Sequence, residues 1–381
     1  EDRAVVGTIF LTSLTGTALA LWRGQPLHDG EAAATLFGSD AVGLVALAAS
    51  KAAGVEASRT TNAMVAGGMD PVLAKEVYID NPRVIMCGGG GPGTKPSFAK
   101  RDPNGDGYRV WGQATFMSGC WNATWALMTA PIVNDDNTPT LDENGKPTVK
   151  MWFMHRSQWE IVDTWDMSGL CGSGSNDVLA NGAHVPERFV NVGLVTMPPY
   201  YDNPVYRIPV ALRLAYNKVA ASLGIAKGAL EAFADLAGKK TPMLAPGQLK
   251  DRPIAQHKYG EAMAMYRSAR AYVMEAMAEV EDELHKGAPW PGAVTTQNDR
   301  LACTHGANVC MQVVDLVHNA GGTTAMRMDN PLERKLRDAH GAATHRWVAH
   351  PLYGEIGRIM LGGEPGPEFD GSGIHQPRAR A

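Results

Sequence analysis

A chain of 381 residues with 45% hydrophobic side chains can bury a large core and more than one structural layer, which excludes disorder as its ground state. Charged residues make up 19% and nearly cancel to a formal net charge of -4, so there is no polycationic face to hold a phosphate backbone, and nucleic acid is not an expected partner. Five cysteines, Cys87, Cys120, Cys171, Cys303 and Cys310, form no CxxC pair. That pattern fits neither a disulfide framework nor a structural zinc site and points to a reducing, cytoplasmic setting.

The most apolar early stretch, residues 5–22, is interrupted by Thr12, Ser13, Thr15, Gly16 and Thr17. It is too polar for a membrane span of roughly 20 apolar residues, and Glu1 and Asp2 beside a single Arg3 do not make a signal-peptide start. It reads as a buried helix or hairpin, with no membrane association expected. Residues 1–82 are alanine-rich and read as helical, with runs at 43–53 and 63–78. Over 83–203 the pattern changes to short runs of Val, Trp, Thr and Met between turn-forming clusters, which is how strands read. Strands are predicted at 108–115, 125–133, 148–155, 160–165 and 178–185, with an exposed hairpin excursion at 134–147 tipped by Glu143-Asn144-Gly145. Beyond Pro198, Pro199 and Pro204, apolar residues recur at spacings of three and four over 204–361. Helices are predicted at 208–236, 254–286, 297–320 and 331–360, the last opened by Pro331 and kinked at Pro351. Residues 362–381 hold too few apolar side chains to order themselves. The fold class is α+β: N-terminal helices, a middle β domain and a C-terminal four-helix bundle.

Several residue groups suit chemistry. Ser118 followed by Gly119 lets a hydroxyl and backbone amides approach a flat ring closely, although on spacing alone a strand-end turn is the simpler reading. Gly172-Ser173-Gly174-Ser175-Asn176 could wrap a cofactor, but has equally the composition of a turn between strands, with Asp177 starting the next one. His345 titrates near neutrality and can exchange a proton. On the predicted last helix it shares a stripe with Asp338 and Gly341, and Gly341 with Ala342 leaves space for a ligand one turn above the imidazole. A surface histidine is the plainer alternative. His340, with no identifiable acidic partner, is read as structural. Arg252 and Gln256, four residues apart at a helix start, could anchor a phosphate or be ordinary surface groups. Asn319-Ala320-Gly321-Gly322 stops a helix and opens backbone amides to close approach. Met263, Met274 and Met277 read as core fillers. The glycine run from Cys87 to Lys95 is not a P-loop, because Thr94 separates Gly93 from Lys95 and Pro96 follows. Among the 11 histidines none has the four-residue spacing of a helical metal pair, and no Rossmann fingerprint is present.

Three segments occurring in order resemble the flavin-dependent oxygenases of the acyl-CoA dehydrogenase superfamily. They are Gly107-Tyr108-Arg109-Val110-Trp111-Gly112 with Phe116-Met117-Ser118-Gly119-Cys120, then Gly169-Leu170-Cys171-Gly172-Ser173-Gly174-Ser175-Asn176-Asp177-Val178, then Arg337-Asp338-Ala339-His340-Gly341-Ala342-Ala343-Thr344-His345. The resemblance covers roughly residues 80–360; the N-terminal helical part is short for the family. It implies the oxygenase component of a two-component aromatic monooxygenase. Reduced FMN, with FAD as the other candidate, would come from a separate flavin reductase and react with O2 through a C4a-hydroperoxyflavin to hydroxylate a small aromatic. The resemblance also implies that Ser118 lies beside the flavin N5 and C4a edge and that Ser173 and Ser175 line the flavin. Gly321 and Gly322 approach the cofactor, and the glycines after Cys87 pass beside its ring. Arg252 and Gln256 correspond to phosphate-end residues that often act across a subunit boundary, in a homotetramer. His345 would be catalytic. Two rivals stand beside this reading: an FAD-dependent acyl-CoA dehydrogenase, whose Tyr-Glu-Gly-Thr base motif is missing here, and a noncatalytic flavin-binding protein of the same fold.

Overall fold

The computed structural model describes residues 71–79, 84–89, 91–92, 94–192 and 207–364. The helix or hairpin expected at 5–22, the run at 43–53 and most of the tail lie outside them. The first described element is a short helix, α1 (Pro71–Ala74), which continues as one π-turn over Lys75–Ile79.

Nine strands follow: β1 (Met86–Gly88), β2 (Gly91–Pro92), β3 (Phe98–Arg101), β4 (Tyr108–Thr115), β5 (Trp125–Pro131), β6 (Val149–His155), β7 (Trp159–Val162), β8 (Asp177–Val185) and β9 (Val190–Val192). They form two sheets, one ordered β1-β5-β6-β9 and the other β2-β4-β8-β7, with β3 also pairing β4. Apolar residues of both sheets, among them Val110, Met128, Trp152, Phe153 and Val178, meet in one buried cluster. The short strands β1, β2, β3 and β9 escaped the sequence reading because two to four residues carry too little alternation. The strand expected at 160–165 is corrected to Trp159–Val162: the backbone N–H groups of Thr164 and Trp165 donate to Asn176 Oδ1, each at 2.8 Å, instead of to a neighbouring strand. The hairpin excursion is present, with Asp142 Oδ1 accepting from the N–H groups of Asn144 and Lys146.

The helices are α2 (Val210–Lys239), α3 (Pro253–His285), α4 (Ala293–Gly321), α5 (Pro331–Ala343) and α6 (Leu352–Met360). Their small and branched side chains, Ala226, Ala229, Val273, Ala307 and Val313 among them, fill a second buried cluster. Met263 and Met277 pack against it; Met274 is partly buried. Among the described residues no helix is long and apolar enough to cross a membrane.

The single helix expected at 331–360 is corrected to two. α5 ends at Ala343, and Pro351, which has no N–H to give to an intrahelical bond, stands at the N-cap of α6. Asn308 Nδ2, from α4, donates to the Val348 carbonyl freed by the break at 3.0 Å.

One buried polar pair lies in the bundle. Tyr216 on α2 donates to Asp299 Oδ2 on α4 at 2.5 Å, and Asp299 Oδ1 has no partner among the described residues. Burial pushes the Asp299 carboxyl up to about 7, against the hydrogen bond from Tyr216 and the charge of Arg300. Between the ordinary value of 3.8 and about 7 the folded chain therefore holds a proton that the unfolded chain has lost. That contribution to stability is complete below about pH 3.8 and is lost as pH rises through about 7. Asp299→Asn, which cannot ionise, should flatten the pH dependence of stability across this window; urea unfolding at several pH values would expose a variant whose slope matches the parent's.

Candidate active site

Two loops on the β side are zipped together. The first follows β4, where Phe116 takes a left-handed conformation with φ 58° and Gly119 one with φ 78°. The second runs from Asp163 to Asn176. Met117 N donates to Asn176 O at 3.1 Å and Gly119 N to Ser173 O at 3.0 Å. Buried Asn176 holds the start of the second loop through its side-chain oxygen. This zipper aligns three hydroxyls: Ser118 Oγ lies 2.6 Å from Ser175 Oγ, which lies 2.7 Å from Ser173 Oγ. Ser118 sits in the turn after β4, half-buried, and its hydroxyl, bonded to Ser175, has capacity for a further bond. Phe116 and Trp121 flank the ladder with 60% of their surface exposed, and the Phe116 ring meets Trp165 edge-on at 6.0 Å.

The second loop also docks on α5. Leu170 N donates to Asp338 Oδ1 at 2.7 Å, and the Arg337 guanidinium donates to the Ser168 carbonyl. Gly169 lies so close to α5 that a Cβ there would sit 2.2 Å from Arg337 O. Leu170 packs over Gly341, where an added Cβ would meet its Cγ at 3.3 Å. The ligand space expected at Gly341 is thus corrected: Leu170 occupies it. Asp338 is a clamp for the loop, its carboxyl pushed up by burial and lowered again by the Leu170 N–H.

His345 is corrected from the stripe on a continuous helix to the turn after α5. Thr344 ends the helix and His345 N closes the last turn on Ala342 O at 3.3 Å. The imidazole retains accessible surface, yet the protein around it, with the charges of Lys218 and Arg346, pushes it down to about 3. Trp347 N donates to His345 Nδ1 at 3.3 Å, so the neutral ring carries its proton on Nε2. His340 has the acidic partner that the sequence did not reveal, Asp315 at 2.9 Å, and belongs to the scaffold.

The remaining predicted residues lie elsewhere. Arg252 caps α3 and is exposed, as is Gln256, whose Nε2 donates to Lys250 O at 3.0 Å. Gly321 and Gly322 form the stop of α4: Gly322 N donates to Asn319 O, and the Gly321 carbonyl accepts from Lys240 Nζ at 2.7 Å. Both pairs gather at the C-terminal end of α2, about 30 Å along that helix from Lys218 at 1.5 Å per residue. Gly89 fits against β4, where a Cβ would lie 2.2 Å from Thr115 O. Sequence reasoning missed Phe116, Trp121 and Trp165 as ladder neighbours, and Lys218 beside His345. A lone cation in the run Ala215–Ala221 was the available signal for the last.

The ladder and its exposed rings suit a flat, largely apolar ring system with a hydrogen-bonding edge, which is the chemistry of a flavin. Residues 217–350 match the family model described as acyl-CoA dehydrogenase, C-terminal domain. The chain is 29% identical over 314 residues to an indole-3-acetate monooxygenase of Pseudomonas putida, covering 79% of this chain and 76% of that one. It is 26% identical over 314 residues to the oxygenase component of the FADH(2)-dependent resorcinol hydroxylase of a Rhizobium species, covering 77% and 73%. Among solved structures, 3-HSA hydroxylase from Rhodococcus sp. RHA1 superposes with a TM-score of 0.73 at 22% identity, over 87% of this chain and 83% of that one. With the three motifs folded around one junction and these likenesses along most of its length, the chain is similar to the flavin-dependent monooxygenase oxygenase components, on the fold of the acyl-CoA dehydrogenase superfamily.

Proposed function

We propose that this protein takes reduced flavin, FMN or FAD, from a separate reductase and uses O2 to hydroxylate a small aromatic substrate. The observation that carries the reading is the hydroxyl ladder Ser118, Ser175 and Ser173, flanked by exposed aromatic rings and joined by one docked loop to α5, with His345 in the turn that follows that helix. When bound, reduced flavin supplies two electrons to O2, so that one oxygen atom enters the substrate and the other leaves as water. The protein's own groups bind and orient. Ser118 directs its hydroxyl to the flavin edge, held by Ser175, which Ser173 holds in turn. Phe116 and Trp121 cover the ring and exclude water. His345 offers Nε2–H to the substrate's ring hydroxyl, and its low pKa keeps it a neutral donor at physiological pH. A dehydrogenase would need a carboxylate base facing the ladder. Asp338, the acid docked there, is engaged by the Leu170 N–H.

We assign Arg252, Gln256, Gly321 and Gly322, which gather at the C-terminal end of α2 apart from the hydroxyl ladder, to the phosphate end of a flavin held by a second copy, in a homotetramer. Light scattering and the loss of flavin affinity in Arg252→Ala test this. The unpaired cysteines and the need for a supply of reduced flavin fit a cytoplasmic location.

Anaerobic mixing with FMNH2 or FADH2 followed by oxygen tests the main reading. The purified protein should be nearly colourless, and oxidation of the reduced flavin should be slowed and pass through a distinct absorbing species. A stoichiometric yellow FAD, or oxidation at the rate of free flavin, would refute it. Ser118→Ala removes one hydrogen bond, worth about 1 kcal/mol. The expected result is a similar fold and an absorbing species that decays roughly tenfold faster, with more peroxide released; decay at the parent rate removes Ser118 from the site.

A further inference from the structure

One stripe of α4 is polar and yet buried. Arg300, Thr304 and Asn308 follow one another at four-residue spacing and are 3%, 0% and 4% exposed, beside the core residues Cys303, Ala307 and Cys310. The stripe is tied along its own helix: Thr304 Oγ1 donates to Arg300 O at 2.9 Å, and Asn308 Nδ2 to Thr304 O at 2.8 Å. Next to it, Asp299 accepts from Tyr216 and so ties the same turn of α4 to α2. Both ends of the stripe grip the turn that carries His345. At one end the Arg300 guanidinium stands 5.0 Å from the centroid of the Trp347 ring, a cation–π contact that strengthens where water is excluded. At the other, Asn308 Nδ2 also donates to Val348 O at 3.0 Å. Between the two grips the turn closes on itself, with Val348 N donating to His345 O at 2.8 Å and Trp347 N to His345 Nδ1 at 3.3 Å. The exposed Arg346 lies 5.2 Å from the same ring, so the indole meets one cation from the core and one from its own turn. A leucine would fill the space beside Trp347. Taking a guanidinium out of water costs free energy that packing alone does not require; what the planar cation adds is direction, one fixed plane against one ring. Arg300 keeps its charge at physiological pH, since burial pushes it down only to about 10.

We propose that Arg300 and Asn308 are positioning residues: from α4 they hold Trp347 and Val348, and through the Trp347 amide they fix the tautomer and direction of the His345 imidazole. An amide N–H can donate only to a ring nitrogen that carries no proton, so a turn held in place keeps Nδ1 bare and leaves the proton on Nε2. A turn released from α4 lets the long 3.3 Å bond open, and the imidazole then exchanges tautomers and turns about its side-chain torsions. The inference rests on the oxygenase reading for the use of the imidazole, but not for its mount.

The test is nitrogen NMR of the full chain labelled at histidine, with the His345 signals identified by their loss in His345→Ala. In the parent the two ring nitrogens should be widely separated, as a single Nε2–H tautomer requires, because one carries a proton and the other is bare. Arg300→Met keeps the length of the side chain without its charge, and Asn308→Leu keeps the size without the donor. Each should narrow that separation and, with a phenol that the parent hydroxylates, lower the product formed per reduced flavin consumed by about 10- to 100-fold, the effect of a misaligned reacting group. Arg300→Lys, which keeps a cation over the ring, should restore most of both. Trp347→Leu removes the ring and keeps the amide; it should give the same narrowing, and it stands in for Arg300→Met should that variant not fold. Averaged tautomers in the parent, a separation that survives the substitutions at both ends of the stripe, or narrowing with parent-like coupling overturns the proposal. The tautomer is read without turnover, so the two readings fail separately. Narrowing in the variants of a parent that oxidises reduced flavin at the free rate keeps the mount and removes the oxygenase reading; an unchanged separation beside a productive parent removes the mount alone.

Discussion

Replacing His345 by alanine should cut the product formed per reduced flavin consumed by about 100-fold, with hydrogen peroxide rising to account for the difference. The flavin side of the site remains intact in this variant, because the ladder is held by the β-side loops and by Asp338, none of which touches the imidazole. Reduced flavin should still bind and still react with oxygen. The substrate's hydroxyl, however, would lose the Nε2–H that orients its ring, and the oxygen would escape as peroxide. Stability should change little, since His345 keeps accessible surface and its ring makes one 3.3 Å bond to Trp347 N. The low pKa adds a pH signature. The imidazole is charged below about 3 and neutral above it, so the parent's coupling should show no step of its own near the ordinary histidine value of 6.5. Product and peroxide measured together with a phenolic substrate decide the matter; parent-like coupling in a folded His345→Ala protein would sink the assignment.

Gly169→Ala should weaken reduced-flavin binding by at least about tenfold and destabilise the junction by roughly 1–3 kcal/mol. The added methyl would sit 2.2 Å from Arg337 O and 2.6 Å from Arg337 C. These are backbone atoms of α5, which no rotamer change can move aside, so the loop must lift. Lifting it breaks the bond from Leu170 N to Asp338 Oδ1 and withdraws Ser173 and Ser175 from their register with Ser118. Gly341→Ala provides the contrast. Its methyl would meet only the Leu170 side chain, at 3.3 Å and 3.4 Å, which can yield. The gain in helix propensity, close to 1 kcal/mol, offsets the crowding, and flavin affinity should stay near the parent's. Thermal unfolding and flavin titration of both variants test the pair, and equal affinities for Gly169→Ala and the parent would show that the docked loop does not shape the flavin site.

Local pattern alone determined much of this molecule. Alternation placed β4 at Tyr108–Thr115 to the residue, and spacings of three and four located α2, α3 and α4 to within a few positions, because periodicity records which face of an element is buried. The order of the motifs was enough to bring Ser118, Ser173, Ser175 and His345 under suspicion. What periodicity does not record is which other element covers the buried face. The break between Ala343 and Leu352 was hidden because the intervening residues keep a helical spacing, and only packing reveals that Asn308 satisfies the opened backbone at Val348. Asp338 looked like one member of a stripe, yet its partner is an amide 168 residues away in sequence. Lys218 looked like any cation in an alanine-rich helix, since a side chain's partners are set by the surfaces that fold against it. Only the tertiary structure, by laying α5 back along α2 and docking the loop at Gly169 and Leu170 on it, decided which side chains meet at this junction.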